Sequence, residues 1–418
     1  MAARLPGDHP SKAIVASVND YLAGRCIVLG VTASVSAYKS VDVARWLMRR
    51  GAKVIPVLTR PASELVTPML FHWATGEKAV VDYTGEVEHI LYSKDCDSMI
   101  VAPATLSTMA KIANGILDNN VALTAISMLG EGKPVMVVPA MHQSMMNSPV
   151  YKTIVEKLEE QGVVILPPKV EEGVAKYPDV WTVARAAAAL TARGRDLEGK
   201  QVLVTAGATR EWIDPARFIS NPSSGRMGIE VAVEAWARGA DVYLVHGSTS
   251  HVLPHMVRRY EVDTTEDMAE AVDKILGQVE IDIAVAAAAP ADYKPVKAME
   301  KKMKSGITGL TLELEPTPKV IGVISGRTKT LVAFAAETVE SSEELELAAL
   351  EKLEKYNADI VVANVIGRKD VGFSSKDLEA LLMWRSNGEI QKEYVGRIDK
   401  EILARIILDT ALQLEGEK

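Results

Sequence analysis

Ile219-Ser220-Asn221-Pro222-Ser223-Ser224-Gly225-Arg226-Met227-Gly228 is the stretch whose reading decides the fold. The apolar run Val202-Leu203-Val204-Thr205 and the turn Ala206-Gly207-Ala208-Thr209 precede it, and a helical pattern over 229–238 follows. A strand, a small-residue loop and a helix start form an anion-binding arrangement, because the first helical N–H groups lack intrahelical partners. Gly225 and Gly228 permit close backbone approach, and Ser223 or Ser224 is expected to cap the helix. An ordinary capped helix in an α/β fold is the plainer reading of this stretch taken alone.

Working outward, 418 residues predict two or three domains. An apolar fraction of 48% suffices for packed cores. Net charge is −8 with no basic stripe, which argues against a nucleic-acid partner. No apolar run is long enough for a membrane span, and residues 1–24 lack the apolar stretch of a signal peptide. Ile14, Val18 and Leu22 suit a short amphipathic helix there. Two isolated cysteines, Cys26 and Cys96, suit a reducing, cytoplasmic setting and argue against a disulfide scaffold or a cysteine-rich zinc site. Cys26 reads as a small buried hydrophobe.

Apolar runs at 26–31, 53–58, 98–102, 134–138 and 163–166 alternate with helical patterns at 35–50, 105–114 and 149–161. That alternation predicts a parallel sheet covered on both faces. A second set of strands is expected at 201–205, 241–245, 281–286, 330–335, 359–362 and 379–384, with helices at 226–238, 265–276, 342–356 and 397–414. The expected fold is therefore α/β, two doubly wound domains, divided in the polar stretch 193–200 into 1–194 and 195–418. In the first, three hydroxyl-rich loops follow strands: 30–40, 103–108 and 139–145. Ligands of open sheets bind at such carboxyl ends, and three loops at one edge favour a crevice more than any one does.

The ordered motifs GVTASVSAYKS, APATLSTMAKIANGILDNN and VPAMHQSM resemble the flavoprotein decarboxylases, and TAGATREWIDPARFISNPSSGRMG, AAAAPADYKP, EKKMKSG and LVAFAAET resemble the ligases, of the bifunctional phosphopantothenoylcysteine decarboxylase / phosphopantothenate–cysteine ligase family. The resemblance runs from about residue 20 to the end. It implies a flavoprotein-like decarboxylase domain and a Rossmann-like ligase domain. It also implies FMN, Mg²⁺ and CTP as cofactors and co-substrate, with 4′-phosphopantothenate and L-cysteine as substrates. Homo-oligomers are expected, with decarboxylase trimers and ligase dimers combining into a larger closed particle such as a dodecamer, and no nucleic-acid or membrane partner.

On the decarboxylase side, the substrate nitrogen is an amide, so no Schiff base to it can form. Oxidation of the thiol to a thioaldehyde by a flavin supplies the electron sink for loss of CO₂. By resemblance FMN sits against Ser34, Thr59, Ala104, Thr105, Ser107 and Met141, and His89 is the catalytic histidine. Two departures stand out. His142 occupies the place of the family's substrate-binding asparagine, and is expected to keep the contact as an N–H donor or a cation. The flap cysteine of bacterial members is missing from 170–178, where Lys176, ahead of Tyr177, is expected to deliver the proton.

On the ligase side, a carboxylate must be activated, and the family does so as an acyl-cytidylate. Asn221 aligns with the catalytic asparagine, its amide donating to developing charge. Lys302 aligns with the essential lysine of a cationic run with Lys301 and Lys304. Nucleotide contacts are expected from Gly207, Ser223, Ser224, Gly225, Asp292, Lys302, Lys304, Phe334, Lys352 and Lys355, with Asp292 also a Mg²⁺ ligand. Competing readings are a ligase with an altered or inactive flavoprotein half and a flavin-binding regulatory protein.

Overall fold

In the computed structural model, residues 9–171, 174–304, 306, 309–339, 341–366 and 377–417 are described. The chain divides into two compact units, Met1–Asp196 and Leu197–Lys418. Among the described residues no helix is long and apolar enough to cross a membrane.

The first unit is built on β1 (Cys26–Val31), β2 (Lys53–Leu58), β3 (Ser98–Ala104), β4 (Val135–Pro139) and β5 (Val164–Ile165), paired in the order β2-β1-β3-β4-β5 and parallel throughout. All seven residues of β3 are buried, which is why these strands read as unbroken apolar runs instead of alternating ones. Helices α1 (Lys39–Met48), α2 (Arg60–Leu65), α3 (Pro68–Thr75), α4 (Glu88–Asp95), α5 (Leu106–Asn114), α6 (Asn120–Gly130), α7 (Gln143–Met146), α8 (Pro149–Glu160) and α9 (Val180–Arg193) complete the unit, with a hairpin β6 (Lys169–Glu171) and β7 (Val174–Lys176) before α9. Val28, Met99, Val101, Met109, Val121 and Val137 share one core on the sheet. Each such side chain contributes about 1.5–3 kcal/mol by burial.

Two expectations for this unit are corrected. Residues 14–22 are not a helix: only Pro10–Ile14 forms a short 3₁₀ turn. The N–H groups of Ala16, Val18 and Leu22 donate instead to Met48, Arg49 and Arg50 O at 3.0, 3.0 and 2.7 Å, satisfying carbonyls at the end of α1. The cysteines are not isolated either, since Cys26 and Cys96 form a disulfide with Cα atoms 4.5 Å apart. Seventy positions separate them in sequence, but β1 and β3 are neighbours, and Asp97 Oδ2 accepts the Cys26 N–H at 2.8 Å.

The second unit carries β8 (Gln201–Ala206), a hairpin of β9 (Glu211–Asp214) and β10 (Arg217–Ile219), α10 (Arg226–Ala237), β11 (Asp241–His246), β12 (Arg258–Glu261), α11 (Thr265–Leu276) and β13 (Ile281–Ala286). There follow β14 (Tyr293–Pro295), β15 (Leu314–Pro316), α12 (Val320–Ile324), β16 (Thr328–Glu337), α13 (Ser342–Lys355), β17 (Ile360–Val365), β18 (Asp377–Ser386), β19 (Glu389–Asp399) and α14 (Lys400–Glu417). The main sheet runs β12-β11-β8-β13-β16-β17-β18-β19. It is parallel as far as β17 and ends in the antiparallel pair β18 and β19, so it is mixed. The expected helix at 397–414 begins only at Lys400, because Arg397-Ile398-Asp399 close β19.

Both sheets have a topological switch point. In the first unit β1 has β2 on one side and β3 on the other; in the second, β8 lies between β11 and β13. Loops leaving the carboxyl ends of such a pair turn away from each other and open a crevice.

Candidate functional sites

At the first crevice the switch point is stitched across β1 and β3. The buried Thr32 hydroxyl donates to Pro103 O at 2.8 Å and accepts the Thr105 N–H at 2.9 Å. Ser34 follows β1 and caps the next turn, its hydroxyl accepting from Ser36 N–H at 3.3 Å. Thr59, buried at the end of β2, donates its N–H to Val31 O at 3.0 Å. Thr105 is the N-cap of α5, with Ala104 buried beneath it and Ser107 exposed above. Ala140 N–H donates to Ala104 O at 2.9 Å and brings the Met141-His142 turn to the same edge. Ser34, Thr59, Ala104, Thr105, Ser107 and Met141 thus all lie on the loops at the carboxyl ends of β1 to β4. Small hydroxyl residues and helix starts at that edge suit a phosphate-bearing flavin.

His89 lies in the first turn of α4, half-buried. Helix α4 leads through Cys96 into the start of β3. His142 is exposed and is the N-cap of α7. Its Nδ1 accepts the Ser144 N–H at 3.2 Å and lies 2.8 Å from Ser144 Oγ. With Nδ1 turned to the Ser144 N–H, Nε2 is the ring nitrogen left to face a ligand. Lys176 is exposed, opposite Lys169 in the β6–β7 hairpin. Residues 172 and 173 of the expected flap lie outside the described residues. The Tyr177 hydroxyl is sealed from solvent with no hydrogen-bond partner among the described residues, and Lys39 Nζ sits 5.4 Å from its ring centroid. Burial raises the Tyr177 phenol well above its ordinary range.

The second crevice is a cavity of about 360 Å³ lined by Asn221, Ser223, Gly225, Arg226, Asp292, Phe334, Lys352, Asn364 and Lys400 among others. A smaller cavity of about 160 Å³ shares Asp292, Phe334 and Lys352 with it and adds Thr317, Lys319 and Tyr356. Gly225, at φ +73°, is itself the N-cap of α10 and has no side-chain cap; Ser223 Oγ accepts the Gly225 N–H at 3.2 Å and Ser224 Oγ the Arg226 N–H at 3.5 Å. The expected serine cap is corrected accordingly: the left-handed turn at Gly225 sets the serines one step back. Gly207, at φ +79°, packs against Gly225 and Ser248 and does not line the cavity.

Asn221 Nδ2 donates to Ala289 O at 3.2 Å and Pro290 O at 2.9 Å, linking the loops after β10 and β13. Its amide donor is engaged with backbone, and Oδ1 has no hydrogen bond among those of the described residues. Asp292 is ion-paired with Lys319. No group of three or more metal-ligating side chains occurs among the described residues. Lys352 is half-buried, and burial holds its ammonium below the usual lysine range, with Glu337 and Asp292 acting the other way. Lys302 and Lys304 are exposed and line neither cavity, as does Lys355, whose neighbour Tyr356 takes the wall position instead. Tyr356 is one helical turn from Lys352 and so shares its face. Sequence reasoning missed Arg226, Lys319, Asn364 and Lys400; the cations Arg226 and Lys400 flank the cleft from the starts of α10 and α14.

Residues 15–191 match a family model described as flavoprotein, and residues 197–414 match that of the DNA/pantothenate metabolism flavoprotein C-terminal domain. The coenzyme A biosynthesis bifunctional protein CoaBC of Thermococcus kodakarensis is 40% identical over 385 residues, covering 90% of this chain and 93% of that protein. CoaBC of Methanocaldococcus jannaschii is 31% identical over 402 residues, 96% of each chain, and that of Escherichia coli is 32% identical over 414 residues, 95% and 99%. With both units matched in order and nearly the full length of each relative covered, the chain belongs to the CoaBC family of bifunctional coenzyme A biosynthesis proteins.

Proposed function

We propose that this chain performs two successive steps of coenzyme A biosynthesis: CTP-dependent joining of 4′-phosphopantothenate to L-cysteine in the second unit, and FMN-dependent decarboxylation of the cysteine moiety in the first. One observation carries the reading. Each unit has a crevice at its sheet's switch point, and the two are lined differently: hydroxyls and helix starts in the first, cations and a half-buried aromatic in the second.

In the ligation site the cleft wall carries the cations Arg226, itself ion-paired with Glu230, Lys352 and the buried Lys400, with the N-terminus of α10 beside Gly225, an arrangement suited to anionic groups. Phe334 provides an apolar face for a base, and the Asn221 amide braces the loop it would act from. Lys302 is assigned to the nucleotide phosphates, reaching them from its own loop. Asp292 fits poorly as a dedicated Mg²⁺ ligand, since its carboxylate already carries the Lys319 ammonium. The metal is therefore assigned to the nucleotide it accompanies.

In the decarboxylation site the loops after β1 to β4 would hold the flavin, which when bound would supply a reversible hydride acceptor, taking two electrons from the thiol before CO₂ leaves and returning them to the decarboxylated product. His89 is the base and His142, through Nε2–H, binds the substrate carboxylate. Tyr177 is assigned as a hydrogen-bond donor beside the flap, since its hydroxyl is sealed from solvent and burial keeps it protonated, while the exposed Lys176 keeps the role of proton donor. Purified protein is expected to show flavin absorbance, or to gain it on titration with FMN, and to release pyrophosphate only with CTP and 4′-phosphopantothenate both present. Colourless protein that cannot take up FMN removes the first assignment; no pyrophosphate removes the second.

A further inference from the structure

The loop bearing Lys301 and Lys302 lies between β14 and β15, and its described residues form no helix or strand. It is nevertheless fastened to the β9–β10 hairpin at two points. Met299 N–H donates to Ile213 O at 2.8 Å. Met303 N–H donates to Asp214 Oδ2 at 3.1 Å. Asp214 is 1% exposed, and its other contacts are local: Oδ1 accepts the Ala216 N–H at 2.7 Å and Oδ2 accepts from Arg217 Nη1 at 2.5 Å. The same guanidinium nitrogen donates to Met303 O at 3.3 Å, so both polar groups of the Met303 backbone are held. A buried carboxylate survives as an anion only when so matched. Burial would raise the Asp214 pKa, but these donors outweigh it and hold the group below the usual carboxylate range. The hairpin that Asp214 closes runs directly on to Asn221.

We propose that Asp214 is a positioning residue for ligation: by fixing the Met303 backbone to the hairpin, it gives the neighbouring Lys302 ammonium a set reach to the nucleotide while Asn221 is held on the same hairpin's exit. This rests on the assignment of Lys302 to the nucleotide phosphates made above. Asp214 touches no substrate in this role. Its contribution is orientation, where small displacements have large kinetic effects.

The test is a double-mutant cycle on the full chain with Asp214→Ala, Lys302→Ala and their combination, read by pyrophosphate release and by amide hydrogen exchange over 299–304. Asp214→Ala is expected to speed exchange at Met303 while β8 and β13 stay protected. It is expected to lower kcat by about 10–100-fold, and to change the KM for 4′-phosphopantothenate far less. In the Lys302→Ala background its effect should shrink to about twofold or less, because the two residues act as one device. Asp214→Asn has the same shape but a single acceptor oxygen; it should be intermediate in both readouts, and it carries the cycle should the alanine variant not fold. Additive losses over an impaired Lys302→Ala, or fast exchange at Met303 with an unchanged rate, overturn the proposal alone. A Lys302→Ala enzyme with normal turnover removes the lysine assignment, and the proposal with it.

Discussion

A histidine standing where an asparagine was expected takes over a backbone duty as well as a place in sequence. His142 Nδ1 accepts the Ser144 N–H, as an asparagine side-chain oxygen would at an N-cap, and leaves Nε2 to face a ligand. His142→Ala should therefore lower CO₂ release from phosphopantothenoylcysteine by about 10–100-fold, the scale of a lost charge-assisted hydrogen bond. His142→Asn should restore most of it. Full activity in the alanine variant would rule out the contact. Lys352 gives a pH-dependent expectation. Its ammonium is held below the usual lysine range by burial, and a bound triphosphate favours the charged form. As pH rises through that lowered value the free site loses its charge and CTP affinity should weaken, earlier than for an ordinary lysine. Lys352→Met should bind about tenfold more weakly and lose this pH dependence; a titration by calorimetry reads both. The identity of Asn221, Ser223, Gly225, Asp292, Phe334 and Lys352 as neighbours was legible from motifs. Lys319 on Asp292 and Lys400 in the wall were not, since each reaches the cleft from an element remote in sequence.

At the scale of elements, the strand–loop–helix that opens the second unit depends on close backbone packing. A Cβ on Gly228 would lie 2.7 Å from both Ala206 Cβ and Thr205 O, at the point where α10 crosses β8. Gly228→Ala should cost about 1–3 kcal/mol through overpacking, seen as a lower denaturation midpoint of that unit, with pyrophosphate release falling as the helix start shifts. An unchanged midpoint would mean that α10 slides freely and that the crossing is not tight. The buried parallel strands were legible because each is a continuous apolar run. β12 was not: all four of its residues are exposed, at the edge of the sheet. β19 was misread for a similar reason, its largely exposed residues giving no apolar period to oppose the helical pattern that follows. The β9–β10 hairpin, with only seven strand residues, is fixed by Asp214 and not by hydrophobic pattern.

For the whole molecule, two open sheets in one chain each have a switch point, β1/β3 in the first unit and β8/β13 in the second, where the loops proposed to bind ligands begin. The chemistry proposed for them is consecutive: the amide made by one is the substrate of the other. Variants confined to one crevice should then leave the partner reaction intact, with His142→Ala still forming the amide and Lys352→Met still decarboxylating a supplied one. The most direct measurement is a single incubation of the purified chain with CTP, L-cysteine and 4′-phosphopantothenate, the products followed by mass over time. The account predicts phosphopantothenoylcysteine appearing first and giving way to a species lighter by CO₂, with CMP and pyrophosphate formed alongside. Absence of the amide adduct, or its accumulation with no loss of CO₂ in FMN-loaded protein, would contradict it.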